Sequence, residues 1–263
     1  MIAKEVLEKK VGELLAILYA KRFTKLQELK LSELLKKNPY LYRALGANRA
    51  TDFIEQMLLA RVSSSDETIF GNDFFEPLAV FAAQQAQQGL PNPATVSVGA
   101  GAGQDIAIET ATEYLAIAVK SGTNIFNSQS EKGQSTEFSQ LQGRMRKLGK
   151  MFRPIIGYGY GRNSARKQAS SVERMAGQRF WALLTGEDEF YLRISSAMET
   201  FANEHATKFK AALDLKHDAL LREFMINFVG KDGLIHWDAV VAYNSCAVAP
   251  KRQRAQVQSL QKD

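Results

Sequence analysis

Apolar residues recur at helical spacing over residues 2–37: Val6, Leu7, Val11, Leu14, Leu15, Ile17 and Leu18, then Leu26, Leu29, Leu31, Leu34 and Leu35. Spacings of three and four put such positions on one stripe, so the segment predicts two amphipathic helices. Asn38-Pro39 should stop the second, since proline lacks an N–H and restricts the residue before it. A third helix is expected over residues 50–62, opened by Thr51-Asp52. Ser63-Ser64-Ser65 then reads as an N-cap cluster that places Asp66 and Glu67 in the first turn of the next helix, where the helix dipole favours acids. That helix carries FGNDFFEPLAVFAAQQAQQ. Pro77 should kink or restart it, because the Asp73 carbonyl loses its partner there, and Gly89-Leu90-Pro91-Asn92-Pro93 ends it.

The period then changes to that of strands: TVSV, QDIAIE and YLAIAVKS within residues 95–121, with TATE as the turn between the last two. A polar loop, NIFNSQSEKGQ, leads to a helix over residues 135–148, and FRPIIGYGYG reads as a further strand. From Ser170 onward the pattern is mostly helical, broken at Thr185-Gly186 and Lys231-Asp232-Gly233. The polar, basic end PKRQRAQVQSLQKD is a frayed tail or an arm that touches phosphate. The order helix, strand, strand, helix, strand is mixed α/β. It divides as a helical N-terminal region (1–62) for packing or dimer contact, a core (63–169), a helical C-terminal region (170–246) and a basic tail (247–263).

Composition narrows the classes. At 263 residues, 45% hydrophobic and 24% charged, the chain can bury a sizeable core. A net charge of +6 favours a polyanionic partner without requiring one. The single cysteine, Cys246, excludes a disulfide framework and thiol-rich zinc motifs, and fits a reducing compartment. The charged N-terminus is no signal sequence, and no apolar run approaches the length of a membrane span, so a soluble, cytoplasmic protein with no membrane partner is expected. GAGAG at 99–103 lacks the G-x-G-x-x-G spacing and leads into a strand, which rules out a dinucleotide fingerprint. His205, His217 and His236 lack metal-ligand spacing, and no serine-hydrolase or P-loop motif is present.

The two central strands carry the candidate chemistry. With a tight TATE turn, Asp105 is expected opposite Lys120. Alternation puts Ile106, Ile108, Leu115, Ile117 and Val119 on a core face. The other face carries Asp105, Ala107, Glu109, Ala116, Ala118 and Lys120, whose small members would leave space for a metal and a phosphate. Carboxylate oxygens suit Mg²⁺, and a lysine can hold the attacking water. From the residues alone the pair reads first as a cross-strand salt bridge at a sheet edge, which is the commoner arrangement.

GQDIAIE followed by YLAIAVKSGTNIFNSQS, with SSSDETIFGNDFFEPLA upstream, resembles the core of PmeII-type restriction endonucleases, a branch of the PD-(D/E)XK nucleases. A weaker similarity to type II enzymes runs through IIGYGYGRNSARK and AGQRFWALLTGE. The resemblance implies a restriction-endonuclease-like core, a mixed central sheet flanked by helices, with helical additions at both ends. It implies a homodimer that cuts both strands of a short double-stranded DNA site with Mg²⁺ as part of a restriction-modification system, beside a cognate methyltransferase. Asp105 matches the motif aspartate and Lys120 the motif lysine, which positions the hydroxide. The pattern wants an acid two residues before the lysine, where this chain has Ala118. Such nucleases sometimes draw that carboxylate from the preceding helix, which makes Glu76 the first choice as metal ligand and Glu67 the second. The two are out of phase on an ideal helix unless it bends near Pro77. Glu109 lies too far along the strand to share a metal with Asp105. Ala118 also admits a catalytically inactive DNA-binding protein on the same fold.

DNA contacts are expected from Asn124, Asn127, Ser128 and Gln129 after the hairpin, and from Arg162, Asn163, Ser164, Arg166 and Lys167 after the next strand. Arg and Lys can bond guanine edges, and Asn and Gln adenine edges, although both runs also have the composition of solvated loops. Arg144, Arg146 and Lys147 lie on a helix, as phosphate contacts or as its exposed side.

Overall fold

The computed structural model describes residues 1–99, 103–122, 128–162 and 172–246, without the side chains of 128–131, 200 and 204. They form helices α1 (Lys4–Glu28), α2 (Leu31–Leu34), α3 (Pro39–Ala44), α4 (Ala50–Phe70), α5 (Glu76–Gln87), α6 (Ser128–Lys147), α7 (Gln178–Thr185), α8 (Phe190–Phe228) and α9 (Trp237–Ser245). The strands are β1 (Thr95–Val98), β2 (Ile106–Glu109), β3 (Glu113–Lys120), β4 (Met151–Tyr158) and β5 (Glu173–Ala176). Two compact units result, Met1–Ala20 with Glu67–Glu204, and Lys21–Asp66 with His205–Asp263.

The first unit is a mixed five-stranded sheet in the order β1-β2-β3-β4-β5. β1, β2 and β3 are antiparallel neighbours, whereas β3, β4 and β5 run parallel. One face carries Ile106, Ile108, Leu115, Ile117, Val119 and Ile155. It packs with Val11, Leu14 and Leu15 of α1, Leu78 and Ala82 of α5, and Phe180 and Trp181 of α7. The opposite face carries Ala107, Ala116, Ala118 and Ile156, packed against Phe138 and Leu141 of α6. Helices therefore cover the mixed sheet on both faces, as in a restriction-endonuclease-like fold. A Cβ on Gly157 would lie 2.1 Å from the Phe180 ring, so β4 has glycine where α7 presses closest.

The second unit has its own core, in which Phe53 of α4 meets Phe224 of α8 and Trp237 at ring distances of 5.2 and 5.3 Å. Arg22 spans Asp66, with contacts of 2.8 and 2.6 Å, and His205, at 2.7 Å, while its guanidinium lies 3.8 Å from the Phe209 ring centre. Burial, together with the Arg22 charge, lowers the His205 pKa against the opposing pull of Asp66. His205 is thus a structural histidine.

Several local expectations are corrected. Ser63, Ser64 and Ser65 lie inside α4 and cap nothing, and Asp66 answers Arg22 in place of a helix dipole. Pro39 both ends one segment and opens α3, whose first amides donate to the Asn38 side chain at 3.0 and 3.4 Å. α6 begins at Ser128, seven residues before the expected 135. β5 stands in a stretch read as helical, because the exposed edge of β4 supplies its pairing partner.

Candidate active site

The β2–β3 turn closes with the Thr110 amide donating to the Glu113 carbonyl at 2.9 Å. This pairs Ile106 with Ile117 and Ala107 with Ala116. Continued, that register would set Ala118 across from Asp105, two residues from the expected Lys120. A two-residue shift preserves the faces, since side chains alternate with a period of two. Asp105 and Lys120 therefore still meet, diagonally, with Lys120 Nζ 3.9 Å from Asp105 Oδ2.

Asp105 stands just before β2, where the ladder gives out. Its amide donates to the Ile117 carbonyl at 2.8 Å and its carbonyl accepts from Gly99 N–H at 2.9 Å. Its Oδ2 accepts from Val119 N–H at 2.6 Å, so the carboxylate substitutes for a backbone acceptor. Two buried amides steady the preceding turn. Gln134 of α6 donates to the Gly103 carbonyl at 2.5 Å, and Gln104 accepts from the Tyr114 hydroxyl at 3.1 Å. Sequence reading missed both, because a glutamine after a glycine run and another on a polar helix carry no signal until the fold buries them.

Glu76 opens α5 after a π-helical turn, Gly71–Phe75, in which the Glu76 amide reaches back to the Gly71 carbonyl. Pro77 lacks an N–H, so the widened turn absorbs the break that the sequence placed at Asp73. The start of this turn lies against the end of β3, where a Cβ on Gly71 would make ordinary contact with Ser121 at 3.5 Å. Glu76 is consequently brought to the acid–amine pair. Burial raises its pKa first, then the Asp105 charge; Lys120 opposes, and Asp73 adds to the rise. Asp73 was missed, although its spacing of three from Glu76 was available. Glu67 is exposed on α4 and is not among the charges that act on Glu76.

Lys120 and Asp105 keep 30% and 26% of their side-chain surface exposed, so the pair opens to solvent at the sheet end. The alanines do not contribute that opening. Ala107, Ala116 and Ala118 are 3%, 0% and 1% exposed, and α6 fills the space above them. Glu109 is engaged by Lys150, which also donates to the Thr110 carbonyl at 2.8 Å.

The model of the type II restriction endonuclease EcoO109I family matches residues 5–206, most of the chain and all of the sheet. The chain belongs to this family. It is accordingly a type II restriction endonuclease, a nuclease whose partner is DNA. No curated protein matches it.

For this endonuclease, the donor set at the sheet end suits a hard divalent cation. The Asp105 charge opposes ionisation of Glu76, and a cation held between the two carboxylates relieves that repulsion. Among the described residues no three His, Cys, Asp or Glu side chains are grouped to hold a metal.

Of the expected DNA contacts, Arg162 is exposed just beyond β4. Arg144, Arg146 and Lys147 are exposed in the last turn of α6. Asn124, Asn127, Asn163, Ser164, Arg166, Lys167 and the tail 247–263 lie outside the described residues, as do the side chains of Ser128 and Gln129. Among the described residues, no helix is long and apolar enough to cross a membrane.

Proposed function

We propose that the protein is a Mg²⁺-dependent homodimer that hydrolyses one phosphodiester bond in each strand of a specific short duplex site. The supporting observation is the convergence of Asp105, Lys120 and Glu76 at the open end of the sheet, in a chain of this family. Asp105 and Glu76 would hold the cation, with Glu67 the reserve ligand. Mg²⁺, when bound, supplies charge stabilisation to a phosphate under in-line attack. Lys120 Nζ, a donor of three protons, orients the attacking water and faces the developing negative charge. Val119 N–H holds Asp105 Oδ2, leaving Oδ1 for the site. Asn124, Asn127, Ser128, Gln129, Arg162, Asn163, Arg166 and Lys167 read and grip the duplex in this scheme. A cytoplasmic location and a methyltransferase that protects the host's own sites complete it.

Incubation of the purified protein with mixed-sequence DNA in Mg²⁺ and in EDTA tests the proposal. Discrete fragments that need the metal are expected, together with a dimeric mass by light scattering. Ala118 favours a second reading, a DNA-binding protein on the same fold that does not cut. Retention of DNA without fragments in any divalent metal decides for it.

A further inference from the structure

Beyond β4 the parallel ladder continues past the catalytic strand: Gly159 N–H donates to the Lys120 carbonyl at 2.8 Å, and Tyr160 N–H to the Ser121 carbonyl at 3.2 Å. Tyr160 is thereby tied to the residues that follow Lys120. Its ring leans on Phe75 of the π-helical turn, with centroids 6.3 Å apart. The hydroxyl end lies over Gly122, where a Cβ would come within 2.5 Å of both Cζ and Oη. Gly159 is packed against Phe75 on one side, and its carbonyl accepts from Trp181 Nε1–H at 2.8 Å. The strand end is therefore rigid where Tyr160 leaves it, yet Tyr160 remains 50% exposed.

A half-exposed phenol held against Ser121 and Gly122, the two residues that follow Lys120, is more than core packing requires, and nothing in the cation site uses it. Resting on the nuclease reading, we propose that Tyr160 is a phosphate-binding residue: its hydroxyl donates a hydrogen bond to the backbone phosphate next to the scissile one. The hydroxyl end of the ring sits over Gly122, two residues beyond Lys120 in the chain, and in this proposal the phosphate next to the scissile one reaches it there. Gly122 is kept small so that the ring can lie there. A neutral donor of this kind binds an anion without displacing a counterion, unlike Lys or Arg.

The test begins by mapping the cut from the ends of wild-type cleavage products. Duplexes carrying a single methylphosphonate at each phosphate around the cut are then bound by wild type, Tyr160→Phe and Gly122→Ala, with Ca²⁺ replacing Mg²⁺. Wild type should lose roughly tenfold or more at one phosphate adjacent to the cut, the worth of a hydrogen bond to a charged group. Tyr160→Phe should bind the unmodified duplex weaker by a similar factor, ignore the methylphosphonate at that position, and keep the wild-type salt dependence. Gly122→Ala, which pushes the ring aside while retaining the hydroxyl, should reproduce that profile. Identical profiles for wild type and Tyr160→Phe, or a changed salt slope, overturn the assignment of Tyr160 while leaving the nuclease intact. A wild type that cuts no duplex overturns the nuclease reading and this inference with it.

Discussion

Asp105 combines an ionic contact and a structural hydrogen bond that two substitutions separate. Its Oδ2 accepts from the N–H of Val119, a residue only 6% exposed, and lies 3.9 Å from Lys120 Nζ. Asp105→Ala leaves that buried N–H unpaired, at a cost of about 1–3 kcal/mol. The lost attraction to Lys120 adds only about 0.2–1 kcal/mol, because the pair is near 4 Å and each partner is about a quarter to a third exposed. Asp105→Asn keeps an acceptor oxygen for Val119 and removes only the charge, so it should cost about 1 kcal/mol or less. For a chain of this size each kcal/mol moves the melting temperature by roughly 2–4 °C. Thermal unfolding followed by circular dichroism in EDTA should therefore rank wild type, then Asp105→Asn, then Asp105→Ala several degrees lower. Plasmid cleavage in Mg²⁺ should be abolished in both, since each lacks the carboxylate. Equal melting losses for the two variants would refute the hydrogen-bond argument, and wild-type cleavage by Asp105→Asn would refute the assignment of the site.

Glu76 gives a prediction of opposite sign. Burial and the Asp105 and Asp73 charges outweigh Lys120 and raise its pKa, so the metal-free folded protein binds this proton more tightly than the unfolded chain. Stability then falls as pH rises from the unfolded carboxylate range through the raised folded value. Glu76→Gln removes that penalty and should melt higher than wild type at neutral pH in EDTA, but gain nothing from added Mg²⁺; a lower melting temperature in EDTA would contradict it. Lys120→Ala should change stability by less than about 1 kcal/mol while eliminating cleavage and retaining DNA in a mobility-shift assay. Ala118→Glu, although it restores the motif acid, forces a carboxylate beneath Phe138 and Leu141 and should lower the urea midpoint by an amount equivalent to about 1–3 kcal/mol or more. A variant as stable as wild type would mean that α6 yields readily at that position.

Local periodicity made much of this protein legible. The alternation in QDIAIE and YLAIAVK determined which residues share a sheet face, and the Thr110–Glu113 turn cannot disturb this, because its shift is two residues and alternation has a period of two. The placement of Asp105 and Lys120 at one end of that hairpin followed from the same rule. Tertiary contacts decided the rest. Three serines that read as a cap became helix interior, and four residues that read as helix became β5 because β4 offered an edge. The alanines opposite the core face suited an open site as well as a packed one, and only the arrival of α6 chose between them. Glu76 lies 29 positions from Asp105 in sequence, and only a widened helical turn at Gly71–Phe75, seated against Ser121, brings its charge to the pair. Patterns read from a chain record what neighbouring residues impose on each other; distances between remote side chains depend on packing that no local pattern encodes.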